Sequence, residues 1–290
     1  MSIIITGSHG FVGTNLVEAL GSTYNIIRWD VREDKPLPEC DAVIHLAGLA
    51  HDTKHTTEAA EYFRVNTDLT KKMYDRFLES SAKKFIFFSS IKAKDGDTPY
   101  AKSKKAAEEY ICGKFRDECL ELSDKKVYIL RPCMIHGPRN KGNLNLLVNV
   151  VKKGFPWPLA AFENKRNFAS MGNVSYIIDR LLCSVVESGV YNICDDEAIS
   201  TNELIRLICE SLGKEPHLMR IPKGLMSGLV RLGDVLQLPL NTERLGKLTE
   251  NYIVDNSKIK HALGVDSLPV SARDGFRLTI QSMINENGNG

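Results

Sequence analysis

The sequence predicts an α/β protein built on a doubly wound parallel sheet, and three observations support this. Short apolar runs, rich in β-branched and aromatic side chains, recur through the first half of the 290-residue chain and have the length of buried strands. Segments with helical apolar spacing separate these runs, as in a parallel sheet covered by helices on both faces. A glycine-rich turn follows the first run directly. After Pro132 the alternation breaks, which predicts a smaller α+β domain in the second half.

The strands and helices of the first half follow in a simple order. Each predicted strand is an apolar run, and each predicted helix has apolar residues three and four positions apart. In chain order we predict strand Ser2–Thr6, helix Phe11–Leu20, strand Asn25–Trp29, strand Ala42–His45, helix Glu58–Ser81, strand Lys84–Ser89, helix Tyr100–Phe115 and strand Lys126–Arg131.

The second half has a less regular pattern. We predict helices Asn143–Lys153, Val174–Val186 and Ser271–Met283, and a short strand Val190–Ile193. Ser200 and Glu203 have the spacing of a capping box, which opens a helix that ends near Leu212. An amphipathic stretch, Ile221–Leu240, is flanked by basic residues, and packing within the protein is favoured over contact with a membrane. The polar tail Asn285–Gly290 is predicted to be disordered.

Composition and charge exclude several classes of protein. The formal net charge is +2, so no strong basic field indicates a nucleic-acid partner. Seven cysteines lie apart from one another, without a Cys-x-x-Cys pair or a Cys/His cluster. This pattern predicts reduced thiols in a cytoplasmic protein that has neither disulfides nor a metal site. No apolar window approaches the ~20 residues of a membrane span, and the N-terminus does not have the features of a signal peptide.

The turn from Gly7 to Gly13 has the position and composition of a dinucleotide cradle. Glycines allow the backbone to approach a pyrophosphate closely, at the N-terminus of the following helix. The sequence therefore predicts a Rossmann-type domain that binds NAD. Asp30, at the end of the second strand, is expected to bind the adenosine ribose, whereas the neighbouring Arg28 and Arg32 leave NADP open. The expected cofactor contacts in this region are Gly7, His9, Gly10, Phe11, Val12, Gly13 and Asp30.

A second motif predicts acid–base chemistry. Tyr100 and Lys104 stand four residues apart at the start of a helix, so the phenol and the ammonium share one face. A nearby cation favours the phenolate and prepares the tyrosine to exchange a proton near neutral pH. Ser89 and Ser90 end the preceding strand, and a hydroxyl there can orient both Tyr100 and a substrate oxygen. We assign Tyr100, Lys104 and Ser90 as the catalytic set, with Ser89 as the second choice for the serine.

Together these motifs resemble the extended short-chain dehydrogenases/reductases of the NAD-dependent epimerase/dehydratase type. The Thr-Gly-x-x-Gly-Phe-x-Gly turn, the serines and the Tyr-x-x-x-Lys motif occur in that family's order, and Asp41–Gly48 and Arg131–Pro138 resemble two further family motifs. The likeness is greatest to the branch that includes UDP-glucose 4-epimerase. It implies that Lys104 also holds the nicotinamide ribose. It further implies cofactor contacts at Leu46, Ala47, Gly48, Asn66, Ser89, Tyr100, Lys104 and Pro132.

The same resemblance implies a shortened sheet and two domains. Family members usually have another strand and helix between the positions of Asp30 and Asp41, but here about ten residues separate the two. The sheet is therefore expected to be shortened at that edge. We expect residues 1–140 to bind the cofactor, with return segments near 166–195, and residues 141–284 to bind mainly the substrate.

The substrate half has fewer recognisable residues. The amides of Asn143 and Leu144 open a predicted helix and are expected to meet a diphosphate. Arg166 matches an arginine that grips the diphosphate in the family, and Arg244 is a plausible second ligand. Gly172 replaces the acid that usually follows in this motif, which predicts different packing there.

These features leave three functional hypotheses. The first is an NAD-dependent UDP-sugar 4-epimerase, which oxidises and reduces its substrate within one turnover. The second is an NAD(P)H-dependent reductase of nucleotide-4-keto-sugars, and the third is a nucleotide-sensing protein without catalysis. A 4,6-dehydratase is disfavoured because Ile91 and Lys92, rather than an Asp-Glu pair, follow Ser90. The resemblance also implies a homodimer through the helices at 58–81 and 100–115.

Overall fold

The computed structural model describes residues 1–50, 57–117, 124–140, 144–235 and 241–286. The chain divides into two units, and each is described by itself. The first unit comprises Met1–Ile135, Asn173–Ile193 and Asp255–Ser267, and the second comprises His136–Gly172, Cys194–Val254 and Leu268–Gly290.

The first unit contains a six-stranded parallel sheet with the strand order β2-β1-β3-β4-β5-β8. The strands are β1 (Ser2–Thr6), β2 (Asn25–Trp29), β3 (Ala42–His45), β4 (Lys84–Phe88), β5 (Lys126–Pro132) and β8 (Gly189–Ile193). The predicted α/β fold is confirmed. The sheet ends at β2, with no further strand beside it among the described residues, as expected for a sheet shortened at that edge.

The inner strands of the sheet are more deeply buried than the edge strand β2. Ile3, Ile4 and Ile5 of the inner strand β1 are fully buried, whereas the edge strand β2 has exposed residues at Asn25 and Arg28. A core cluster joins one side of the sheet to two helices. Its members include Ile4, Val43, Phe85, Val127 and Ile129 from the sheet, and Met73, Phe77, Ala107 and Ile111 from the helices.

The helices predicted for the first unit are present, one of them in a different form, together with two short helices that were not predicted. They are α1 (Phe11–Leu20), α2 (Ala59–Phe63), α3 (Leu69–Glu79), α4 (Lys92–Asp95), α5 (Pro99–Asp117), α7 (Met171–Cys183) and α11 (Ser257–Leu263). The single helix predicted at 58–81 is instead α2, a π-helical turn at Arg64–Asp68, and α3. Such turns are frequent at functional sites, and this one contains Asn66, a predicted site residue that is fully buried.

The second unit is mostly helical. Its helices are α6 (Leu144–Lys152), α8 (Thr201–Ser211), α9 (Lys223–Val235), α10 (Thr242–Thr249) and α12 (Ala272–Glu286); the short strands β6 (Met134–His136) and β7 (Phe168–Ser170) form a separate sheet. Ser200 accepts a hydrogen bond from the Glu203 amide at 3.0 Å, as the capping box predicts. Helix α12 continues through Asn285 and Glu286, so these two residues of the predicted disordered tail are helical; residues 287–290 lie outside the described part.

Two features are absent from the described residues. No helix there is long and apolar enough to cross a membrane. No group of three or more His, Cys, Asp or Glu side chains in the same ranges is arranged to hold a metal ion.

Candidate active site

The glycine-rich turn is shaped so that larger residues do not fit. Gly7 has a φ of +66°, in the left-handed region, and a Cβ there would lie 2.7 Å from the Ala47 amide nitrogen. A Cβ on Gly13 would lie 2.6 Å from the Cα of Ser8. The backbones of β1, α1 and the loop after β3 therefore approach one another as closely as glycine alone permits.

The N-terminus of α1 is suited to an anion. Gly10 is the N-cap, no side chain caps the helix, and its first turn contains no acidic residue. The first amides of the helix thus have no capping acceptor from a side chain, and the helix dipole favours negative charge at this end. A pyrophosphate group of NAD fits these features. His9, a predicted contact, is exposed, and Phe11 and Val12 are half-buried in the first turn.

A buried hydrogen-bond chain holds the strand ends beneath this turn. Thr70 donates to a main-chain carbonyl at 2.8 Å, so its oxygen accepts from Nε2 of His45 at 3.0 Å. The Nδ1 atom then accepts from the Thr6 hydroxyl at 2.7 Å. The Thr6 oxygen in turn accepts from the amides of Leu46 and Ala47, both at 3.2 Å. Burial lowers the pKa of His45 to about 3, so His45 is a neutral structural residue rather than a proton donor.

Asp30 forms an ion pair with Arg32, one of the two arginines that could bind the 2′-phosphate of NADP. Arg32 donates through Nε to Oδ1 at 2.9 Å and through a terminal nitrogen to Oδ2 at 2.6 Å. These hydrogen bonds hold the pKa of Asp30 at about 2. The guanidinium of Arg32 is thus engaged by the carboxylate, while Asp30 stays ionised and can accept from ribose hydroxyls.

Tyr100 and Ser90 lie together at the carboxyl end of the sheet. Ser90 is buried directly after β4, and its hydrogen bond to Tyr100 lowers the phenol's pKa. Burial has the larger effect, however, and raises this pKa above its ordinary value. Tyr62 packs edge-on against Tyr100, with 6.3 Å between ring centroids. In the protein alone Tyr100 is therefore a protonated phenol, poised to donate.

Lys104 lies one turn after Tyr100 on α5, and its side chain is buried against the end of β4. Its Nζ donates to the carbonyl of Phe88 at 2.8 Å and lies 5.0 Å from the centroid of the Phe87 ring. Burial lowers the pKa of Lys104 to about 8, although the negative charge of Glu108 acts in the opposite direction. The causes of the shift in the pKa of Tyr100 are burial, Ser90 and Tyr62; that Lys104 lowers this pKa stays a prediction.

Asn66 connects the π-helical turn to this group. Its amide donates to the carbonyl of Leu49 at 3.0 Å and to the hydroxyl of Ser103 at 3.0 Å, and its carbonyl accepts from the Leu49 amide at 2.7 Å. A Cβ on Gly48 would lie 2.9 Å from Asn66 Oδ1 and 3.1 Å from Lys104 Nζ. The loop after β3 therefore lies against Lys104, and Gly48 is needed for this close approach.

The two serines have different partners. Ser89 donates to the carboxylate of Glu108, which also forms a two-point ion pair with Arg131. Ser90, not Ser89, has the hydrogen bond to Tyr100. Glu108 was not predicted as a site residue, although its position four residues after Lys104 places the two side chains on one face of the helix. The predicted contact Pro132 is buried at the end of β5, and its carbonyl accepts from the amide of Ile91 at 3.1 Å.

The predicted substrate residues belong to the second unit. The side chain of Leu144 is buried in that unit's core, so only its main chain is available to a ligand. Arg166 is half-buried, with its guanidinium 5.9 Å from the Phe168 ring centroid. Arg244 is exposed in the first turn of α10. Asn143 lies outside the described residues. The role of these residues in binding a substrate stays a prediction.

Comparisons with known proteins extend over nearly the whole chain. A model of the NAD dependent epimerase/dehydratase family matches residues 3–194. The UDP-glucose 4-epimerase of Vibrio cholerae is 30% identical over 331 aligned positions, which cover 99% of this chain and 96% of that protein. The N-acetyl-α-D-glucosaminyl-diphospho-ditrans,octacis-undecaprenol 4-epimerase of Escherichia coli O157:H7 is 27% identical and covers 76% of this chain and 75% of that protein.

A solved structure shares the fold. The UDP-glucuronic acid 4-epimerase of Bacillus cereus, in complex with NAD, superposes with a TM-score of 0.73 at 17% identity, and the match covers 99% of each chain. At this identity the likeness concerns the fold alone. It agrees with the predicted α/β fold.

Proposed function

The chain belongs to the NAD dependent epimerase/dehydratase family, and from this premise we propose that it is a UDP-sugar 4-epimerase with Tyr100, Ser90 and Lys104 as its catalytic residues. The relatives are NAD-dependent enzymes that act on sugar substrates, and the chain is an NAD-dependent enzyme of this family. What we propose beyond the family is the sugar, the carrier to which the sugar is joined, and C4 as the reacting carbon.

The observation that carries the proposal is the placement of Ser90 and Tyr100 together at the carboxyl end of the sheet, with the buried Nζ of Lys104 bound to the carbonyl of Phe88 at the same strand end. A hydroxyl and a phenol so placed can both contact one substrate oxygen, and the phenol can exchange a proton with it. The glycine-rich cradle at Gly7–Gly13 belongs to the same unit. A site for a dinucleotide and a group for proton transfer would thus lie at the carboxyl ends of β1 and β4, two strands of one parallel sheet that β3 separates.

The residues of the chain have separate tasks in this reaction. NAD, when bound, supplies the acceptor and the donor of the hydride. Tyr100 takes the proton of a sugar hydroxyl during oxidation and returns it to the keto oxygen during reduction. Ser90 holds that oxygen, and Lys104 supplies a buried positive charge that favours the phenolate once the site is filled. Ser90 and Lys104 are buried and Tyr100 is half-buried, which limits the access of water to the proton transfer.

Two kinds of substrate share the required chemistry. One relative's name specifies UDP-glucose, and the other's specifies a sugar on an undecaprenyl diphosphate. Both present a sugar joined to a diphosphate, which a guanidinium such as that of Arg166 is suited to bind. The greater coverage of the UDP-glucose 4-epimerase favours a UDP-sugar.

The experiment combines a cofactor count with one substitution. Protein is denatured, and the released nucleotide is identified by mass spectrometry; about one NAD per chain supports the epimerase, because a cofactor regenerated in each turnover need not leave. An empty protein that binds NADH or NADPH reversibly supports the reductase instead. Tyr100→Phe should lower turnover of UDP-glucose by roughly 10²–10⁴-fold while NAD stays bound. Tyr110→Phe, on the same helix, is the control, and unchanged turnover by Tyr100→Phe contradicts the assignment.

The quaternary structure is a separate proposal. We expect two copies to associate through the helical segments at 58–81 and 100–115, as the resemblance implies. Sedimentation velocity on the full chain tests this. A single monomeric species at micromolar concentration contradicts it without affecting the catalytic assignment.

A further inference from the structure

Helix α9 has apolar residues on two faces, and the described part of the chain covers only one of them. Met226 and Val230 are each 2% exposed and belong to the core of the second unit. Leu225 and Leu229, one turn apart, are 60% and 50% exposed. Two leucines at this spacing form a short apolar ridge on the surface. Within the described residues, packing in the core thus explains the apolar character of Met226 and Val230 but leaves the Leu225–Leu229 ridge uncovered.

The surroundings of this ridge are basic. Residues 217–249 contain two acidic side chains, Asp234 and Glu243, and five basic ones, Arg220, Lys223, Arg231, Arg244 and Lys247. This segment has a formal charge of +3, whereas the whole chain has +2. The acidic group of Asp234 is occupied by hydrogen bonds from the amide and hydroxyl of Thr242. The ridge therefore lies in a segment of strong local positive charge within a nearly neutral protein.

An exposed apolar ridge with basic neighbours fits an anionic bilayer surface better than a protein. A standard protein interface buries ~800 Å² on each partner, and two leucines supply only a small part of that. A bilayer requires no complementary shape: apolar side chains enter the boundary of the acyl chains while lysine and arginine stay near the anionic headgroups. Arg220, Lys223 and Arg231 are all exposed and placed within six residues of a ridge leucine.

We propose that the Leu225–Leu229 ridge and its basic neighbours bind this protein peripherally to membranes that contain anionic lipids. The binding involves no membrane-spanning helix, and it is independent of the proposed catalytic function. It gives the second unit an interaction surface separate from the residues predicted to contact the cofactor.

The test is flotation of the full chain with lipid vesicles. Vesicles of phosphatidylcholine with phosphatidylglycerol should carry the protein upward in the gradient, and vesicles of phosphatidylcholine alone should not. The double variant Leu225→Glu/Leu229→Glu should lose at least about tenfold in partitioning. High salt should weaken binding of the unaltered protein, because the electrostatic part is screened.

A matched control separates this surface from general stickiness. Leu278 of α12 is 59% exposed, almost the same as Leu225, so Leu278→Glu should float like the unaltered protein. Absence of binding to anionic vesicles overturns the proposal, as does equal loss in the double variant and in Leu278→Glu. Loss of self-association in the double variant, with no vesicle binding by the unaltered chain, assigns the ridge to a second copy and also overturns it. Thermal unfolding of each variant confirms that the substitutions leave the fold intact.

Discussion

Glu108 raises the pKa of Lys104, the residue one turn earlier on α5, against the effect of burial. Burial lowers this pKa to about 8, and without the carboxylate it would fall further. Glu108 is itself buried and held by Arg131 and Ser89. The charge of the catalytic lysine near neutral pH thus depends on a residue that need not touch substrate or cofactor.

Glu108→Gln should therefore change the pH dependence of the reaction. A lysine that must be charged loses activity as the pH rises through its pKa, so kcat/KM of the unaltered enzyme should fall on the alkaline side. Removal of the negative charge lowers the pKa of Lys104, and the alkaline limb should move to lower pH. The measurement is a pH profile of kcat/KM. Glu109→Gln, an exposed neighbour, should leave the limb in place; an unmoved limb in Glu108→Gln would show that Glu108 does not set the charge.

The two serines at the end of β4 should respond differently to alanine. Ser90 contacts the phenol of Tyr100, so Ser90→Ala should lower kcat by roughly 10–100-fold with little change in stability. Ser89 contacts the buried Glu108, so Ser89→Ala should cost about 1 kcal/mol of unfolding free energy and leave kcat nearly unchanged. Steady-state kinetics and urea denaturation of both variants distinguish the two roles. The assignment fails if the kinetic defect follows Ser89.

Cofactor preference should depend on the ion pair between Asp30 and Arg32. Asp30→Ser removes the acceptor for ribose hydroxyls and releases the guanidinium, which can then bind a 2′-phosphate. The ratio of the Kd for NADP to that for NAD should fall about tenfold or more, the worth of one charge-assisted hydrogen bond. Isothermal titration of apoprotein with both nucleotides measures it. The double variant Asp30→Ser/Arg32→Gln should not show this increased preference for NADP. If the preference persists in the double variant, a residue other than Arg32 contacts the phosphate.

The sequence predicted some structural elements more closely than others. The bounds of β1, β2 and β3 were predicted to the residue, because apolar runs between polar turns determine buried strands. The π-helical turn around Asn66 was not, since it depends on tertiary hydrogen bonds to Leu49 and Ser103. The different packing predicted at Gly172 agrees with the structure, because a Cβ there would lie 2.9 Å from Cγ2 of Val270 and leaves little room for a side chain.

Within the site, the sequence identified chemical types but not pairings. Tyr100, Lys104 and both serines were recognised from spacing, yet only the structure distinguishes the partner of Ser89 from that of Ser90. Helices α4, α10 and α11 were not predicted at all. All three are short, and packing rather than sequence periodicity stabilises helices of this length.

The glycines provide the last prediction, because the same substitution should have opposite effects at two of them. Gly228 lies in the interior of α9, and a Cβ there would meet no atom within 4 Å. Gly228→Ala should therefore raise the unfolding free energy by about 0.5–1 kcal/mol through helix propensity alone. Gly13→Ala would place its Cβ against the backbone of Gly7 and Ser8, so it should lower stability and abolish NAD binding. Urea denaturation and NAD titration of both variants measure this, and equal effects at the two positions would show that the close approach at Gly13 is not required.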